Sequence, residues 1–375
     1  MITFAVDSFI NSNRKINNRI ALLSNNSAIN KDYITTLDIL SSKYKISSIF
    51  APEHGFYGVN NAGESVKTTV DGETGIPIFS LYDEGKFELT DKMLDTFDTL
   101  IFDIQDLGLR FYTYISTLKF IIKALGKTNK KLIVFDRFPV LGGQVVEGNI
   151  LDYSSESFVG PSGLPIRYAL TIGELSLFFN EENKYGCDIE VISIKGLKRE
   201  YYFDDLKLPW IKPSPAIPSF NTALLYAGTC LFEGTNISEG RGTYSPFEVL
   251  GAPFIDEKKL SKDINGMKLP GIAVTPTSFK PHFDRYTDVI CRGIHIHVTN
   301  KKIFRPISFS LRVLNYIREE YPDFILNDGL NSHTKKLLGN EFENELNSLT
   351  INRLIEKYRT SSEEFKEYTT KYHIY

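Results

Sequence analysis

Pro52-Glu53-His54-Gly55-Phe56-Tyr57-Gly58 follows directly on the apolar run Ile46–Ala51. A short apolar run ending in Glu-His-Gly predicts a buried strand that delivers ionisable groups into a glycine-flanked loop. In open α/β sheets such strand ends are where ligands bind. The pattern recurs twice: Leu100-Ile101-Phe102 runs into Asp103-Ile104-Gln105-Asp106-Leu107-Gly108, and Leu132–Phe135 runs into Asp136-Arg137. Buried carboxylates are costly unless compensated, so three acid-tipped strands predict an enzyme with a carboxylate-rich cleft.

Working outward, residues 19–138 alternate strand and helix. Arg19–Ser24, Ile46–Ala51, Ile76–Leu81, Thr99–Phe102 and Lys131–Phe135 read as strands. Asp32–Tyr44, Asp91–Phe97 and Phe111–Leu125 read as helices, the last closed by Gly126. Repeated β/α units imply an α/β fold with a Rossmann-like, mostly parallel sheet. A helix at Thr171–Asn180, with Thr171 and Glu174 forming a capping box, and a strand at Ile189–Ile194 continue it. The Pro/Ser-rich stretch 209–221 is either a linker or, with Trp210 among rigid prolines, an ordered cleft wall. After Pro253 the character changes: Asp288–Val298 alternates like an antiparallel strand, and Pro306–Glu320 reads as a helix. These features predict two domains, residues 1–253 Rossmann-like and catalytic, and 254–375 a smaller α+β C-terminal domain.

Composition narrows the function. A formal net charge of -3 gives no case for a nucleic-acid partner. No segment approaches the roughly 18–20 apolar residues of a membrane span. The start, Met1 to Asp7, lacks the basic region of a signal peptide, so the chain is expected in the cytoplasm, or outside it as a processed form. Cys187, Cys230 and Cys291 lack paired spacing, which argues against a disulfide framework or a Cys-built zinc site. His295-x-His297 alternates on one strand face but has no third ligand nearby in sequence, so no metal is expected. Ser24-Asn25-Asn26-Ser27 stands where a dinucleotide-binding glycine motif would follow the first strand, and no Walker A motif occurs. No cofactor is expected.

Glu53 is the first candidate for a catalytic acid or base, with His54 beside it to orient substrate. Asp103 and Asp106 are candidates for a second catalytic carboxyl. Gln105 between them should share a side with Asp103 in extended geometry, and one of the two acids should cap a helix starting near Arg110. Asp136-Arg137 reads as an internal ion pair or a substrate clamp. In Glu233–Thr243, glycines permit close backbone approach, and Asn236, Ser238, Glu239 and Arg241 offer both hydrogen-bond polarities, so a binding loop is expected.

At these residues the chain resembles the exo-β-N-acetylmuramidases of the NamZ type, formerly a domain of unknown function. The resemblance rests on PEHGFYG (52–58), TGIPIFSLY (74–82), FDIQDLGLRFYTYIST (102–117), FDRFPVLGG (135–143), LPWIKPSPAIP (208–218) and CLFEGTNISEGRGTYSPFEVLGAPF (230–254). It implies a Rossmann-like catalytic domain, a smaller C-terminal domain and a cleft between them. It also implies release of N-acetylmuramic acid from non-reducing ends of peptidoglycan fragments, and it maps the favoured catalytic glutamate to Glu53. Family members commonly carry Val-Gly-Ala where this chain has Leu107-Gly108-Leu109. Glycoside hydrolysis needs a proton donor, read here as Glu53 (or the base that succeeds it), and a second group, for which Asp103, Asp106 and Glu239 are available. The lactyl carboxylate of the substrate calls for a cation, for which Arg110, Arg137 and Arg241 are candidates. The alternative is a non-catalytic protein that binds or senses peptidoglycan sugars.

Overall fold

A computed structural model describes residues 2–375 apart from 13, 62, 65, 66, 83–86, 88 and 328–332. The first half runs α1 (Ala5–Asn11), β1 (Ile20–Ser24), α2 (Thr36–Ser41), β2 (Ile46–Ala51), β3 (Thr69–Val70), β4 (Pro77–Ser80), α3 (Asp91–Leu94), β5 (Thr99–Asp103), α4 (Tyr114–Leu125), β6 (Lys131–Phe135), α5 (Ile172–Glu182) and β7 (Asp188–Ile192). Its strands form a seven-stranded sheet in the order β3-β4-β2-β1-β5-β6-β7, parallel except for the β3–β4 pair. β1 and β5 are buried along their whole length, which is why they read as unbroken apolar runs rather than alternating ones. The register sets Leu23 beside Phe50 on one side and Ser24 beside Asp103 on the other. The carboxyl ends of β2, β1 and β5 therefore lie level.

The chain continues with α6 (Phe220–Thr229), β8 (Val249–Ala252), α7 (Glu257–Gly266), β9 (Ile272–Phe279), β10 (Cys291–Val298), α8 (Pro306–Glu320), α9 (His333–Leu338), α10 (Phe342–Ser348) and α11 (Ile351–Tyr368). A second, antiparallel sheet has the order β8-β10-β9, with α7 packed on β9 and β10. β8 joins it from just ahead of position 253. Helix α6 packs on α8, and the approach is close: a Cβ on Gly228 would lie 2.1 Å from the Pro306 carbonyl oxygen. Backbone would have to move, so Gly228→Ala is expected to cost about 1–3 kcal/mol, read as a lower melting temperature.

Two helices start later than their periodicity predicts. Asn30 accepts the backbone N–H groups of Asp32 and Ile34 through its side chain, which makes a turn there, and Thr35 then caps α2. Residues 110–113 likewise make turns before α4. The Thr171–Glu174 capping box is present at α5. The proline-rich stretch is an ordered wall: Trp210 donates to the Ile217 carbonyl at 3.1 Å and meets Phe203 edge-on at 5.2 Å. Among the described residues no helix is long and apolar enough to cross a membrane.

Candidate active site

Strand order reverses at β1: β2 and β4 extend one way, β5, β6 and β7 the other. The carboxyl-end crevice at such a reversal is the expected ligand site of a parallel sheet. A cavity of about 990 Å³ reaches this end of the sheet, lined by the loops after β2 and β5, the proline-rich wall, residues 239–247 and α9. Tyr82, Phe111, Tyr112, Phe158 and Phe283 contribute rings to its wall. That mixture of aromatic faces and convergent polar groups suits a saccharide.

Glu53 sits at the start of the loop after β2 and is largely buried. Its Oε1 accepts the Gly63 N–H at 2.9 Å and its Oε2 accepts the Thr113 hydroxyl at 2.5 Å. Thr113 occupies the N-cap position of α4 yet makes no capping bond; its hydroxyl is turned to Glu53 instead. The loop is held in an unusual path. His54 (φ 69) and Gly55 (φ 79) are both left-handed, a conformation costing a non-glycine residue roughly 1–2 kcal/mol. The His54 ring pairs through Nδ1 with the Asn60 carbonyl at 2.8 Å. Gly58, also at positive φ, lets the loop press on Asn26 at the end of β1, where a Cβ would come within 2.1 Å of Oδ1.

Glu233, Glu239, Arg241 and His333 form the other polar cluster of the cavity. Arg241 donates to Glu233 Oε1 from Nε (3.0 Å) and Nη2 (2.7 Å), and His333 Nε2 lies 3.0 Å from Glu233 Oε2. Glu239 meets the edge of the same guanidinium, its Oε1 3.5 Å from Nε. The consequence is asymmetric. Burial would raise Glu233, but the Arg241 charge and the His333 contact hold it down to about 2. Burial, followed by the charge of Glu233, pushes Glu239 up to about 8. Two adjacent carboxyls thus divide into an ionised one and a protonated one.

With this geometry in place, family profiles cover nearly the whole chain. "Exo-beta-N-acetylmuramidase NamZ, N-terminal" matches residues 20–221, and the corresponding C-terminal description matches residues 224–375. The chain belongs to the NamZ family. It is 38% identical over 363 residues to the peptidoglycan beta-N-acetylmuramidase NamZ of Bacillus subtilis (strain 168), covering 95% of this chain and 87% of that relative. Two crystal structures of DUF1343-family proteins from Bacteroides fragilis NCTC 9343 align over 100% of this chain and 99% of theirs. Their TM-scores are 0.91 and 0.79, at 28% and 27% identity. The NamZ resemblance expected from the motifs is therefore established across both halves, and with it the fold.

Within this NamZ chain, the residues singled out from sequence separate into two groups. Glu53, His54, Glu239 and Arg241 line the cavity. The others lie outside its lining and are bound to partners within the fold. Asp103 is fully buried and receives Arg137 through Nε (2.5 Å) and Nη2 (2.8 Å), together with the Thr36 hydroxyl. This ion pair ties β5 to the segment after β6. Asp103→Ala would leave Arg137 charged and unmatched in the interior, an expected loss of about 3–5 kcal/mol, measurable by denaturant unfolding. Asp136 anchors the start of α5 through the Gly173 N–H (2.7 Å) and the Thr171 hydroxyl (2.8 Å), and accepts the Tyr375 hydroxyl at 2.7 Å. Asp106 accepts the Gly108 N–H and the Tyr168 hydroxyl, and burial pushes it up to about 6; it caps no helix, since α4 begins at Tyr114. Gln105 donates to the Asp106 and Phe138 carbonyls, both at 2.8 Å. Arg110, with no exposed surface, donates to the carbonyls of Asn149, Leu164 and Leu337. Asn236 joins the Asp323 carbonyl and the Ile325 N–H.

The His295 and His297 rings on β10 lie 4.5 Å apart and tilted by 42°, with His297 paired to the Thr275 hydroxyl. Among the described residues no group of three potential metal ligands forms. The three cysteines are buried thiols. Glu233, Thr113 and His333 went unselected in the sequence. Glu233 lay inside the quoted 233–243 motif and was legible there; His333 has no local signature.

Proposed function

We propose that this chain is an exo-acting glycoside hydrolase that releases N-acetylmuramic acid from the non-reducing ends of peptidoglycan fragments. The reading is supported by family membership and by the name of the Bacillus subtilis relative. The observation that carries the chemistry is the convergence of Glu53 and Glu239 on one cavity, one bound by two donors and the other kept protonated by burial and Glu233. Glu239 gives its proton to the glycosidic oxygen as the bond to the anomeric carbon breaks. The water oxygen bonds to that carbon and its proton goes to Glu53. Asp103 and Asp106, outside the cavity lining, take structural roles. Residues 1–253 supply the catalytic groups. Residues 254–375 close the cavity through Phe283, Asp284 and α9, and the rings over the cleft hold the sugar.

The test is release of free N-acetylmuramic acid from a MurNAc–GlcNAc disaccharide, beside a GlcNAc-terminated control. Release from the first alone supports the proposal. Tight binding of the disaccharide without any release would overturn it in favour of a sugar sensor.

A further inference from the structure

The cavity is rich in acid. Glu53, Glu233, Glu239 and Asp284 all line it. A neutral amino sugar tolerates such walls, but N-acetylmuramic acid carries a lactyl carboxylate. A carboxylate entering an acidic, partly desolvated cavity needs a cation that is not already committed. The three arginines suggested by the motifs fail that requirement. Arg110 is enclosed among main-chain carbonyls, Arg137 is paired with Asp103, and Arg241 is shared by Glu233 and Glu239. His333 faces Glu233 and His54 faces the Asn60 carbonyl. Arg285, also on the lining, is not free either.

Lys336 remains. It lines the cavity from α9, is half-buried, and its ammonium has no hydrogen bond or ion pair among the described residues. The helix beneath it is fixed at both ends. The Thr334 hydroxyl donates to the Gly234 carbonyl at 2.8 Å beside the His333–Glu233 contact. At the other end, Arg110 donates to the Leu337 carbonyl at 2.5 Å and Asn149 to the Leu338 carbonyl at 2.6 Å. The buried Arg110 therefore acts at one remove: it holds the turn that carries Lys336. Lys336 is thus a cation without a protein partner among the described residues, carried on a pinned helix at an acid-lined cavity.

We infer that Lys336 selects the muramyl sugar by pairing its ammonium with the lactyl carboxylate, an inference that rests on the hydrolase reading above. The experiment compares kcat/KM for an aryl β-glycoside of N-acetylmuramic acid with that for the same glycoside bearing a lactyl carboxamide. Parent, Lys336→Met and Lys336→Arg are measured. In the parent the acid is preferred. In Lys336→Met the acid-to-amide ratio falls roughly 10- to 100-fold, and Lys336→Arg restores most of it. A Lys336→Met protein that keeps the parent ratio overturns the assignment while leaving the hydrolase intact. Failure of the parent to cleave any of these glycosides would instead overturn the hydrolase reading. The same acid-to-amide ratio, taken from calorimetric affinities for the free sugars, then decides Lys336 separately.

Discussion

Glu53→Gln is expected to lower turnover of the MurNAc–GlcNAc disaccharide by about 10²–10⁴-fold while disaccharide affinity stays within a few-fold of the parent. The substitution keeps shape and removes only the ability to exchange a proton. Local geometry favours a clean result. The amide oxygen can still accept the Gly63 N–H, and the amide nitrogen can donate to the Thr113 hydroxyl, which accepts as readily as it donates. The left-handed His54 and Gly55 and the close seat of Gly58 on Asn26 fix the loop independently of that charge. Calorimetric binding beside the kinetic assay checks both halves. Turnover within tenfold of the parent would remove Glu53 from the chemistry, and loss of binding with loss of fold would show that the carboxylate is structural.

The place of Glu53 on the cavity was legible in the sequence because its signal is local: an apolar strand, an acid and a glycine within a few residues. The same local signal marked Asp103 and Asp136, which lie outside the cavity lining. A strand tipped by Asp looks identical whether the carboxylate faces a ligand or a partner side chain. The partner of Asp103 is Arg137, 34 positions on and brought alongside only by the β5–β6 pairing. Asp136 finds its donors on α5 and at Tyr375, across the fold. Buried polar groups must be satisfied, and the sequence does not say by whom. The parallel sheet was legible because unbroken apolar runs alternate with amphipathic helices. β8 and β9 were not, because β8 (Val-Leu-Gly-Ala) is short and glycine-containing and β9 carries a proline and exposed residues along one edge. His333 and Lys336 lie some 280 positions beyond Glu53 in a stretch without a motif. Only the docking of α9 on Gly234 and Asn149 brings them to the cavity.

Glu239→Gln should cost about 10²–10⁴-fold on the disaccharide but far less on an aryl glycoside whose leaving group departs without a proton. That pattern identifies the group that protonates the glycosidic oxygen. The structural reason is the competition for one guanidinium. Arg241 gives both of its short contacts to Glu233, His333 adds a third, and Glu239 is left buried beside a fixed negative charge with Asp284 also nearby. Its proton is therefore retained through neutral pH and lost as pH rises through about 8. The rate should fall on that alkaline limb. Glu233→Gln removes the repelling charge and frees Arg241 for Glu239, which stabilises the ionised form, so the limb should move to lower pH. Rates from pH 5 to 10 on both glycosides read this directly. A limb that stays in place in Glu233→Gln would show that Glu239 is not the titrating acid. An equal loss on both glycosides in Glu239→Gln would do the same, and the leaving-group pattern appearing in Glu53→Gln instead would exchange the two roles.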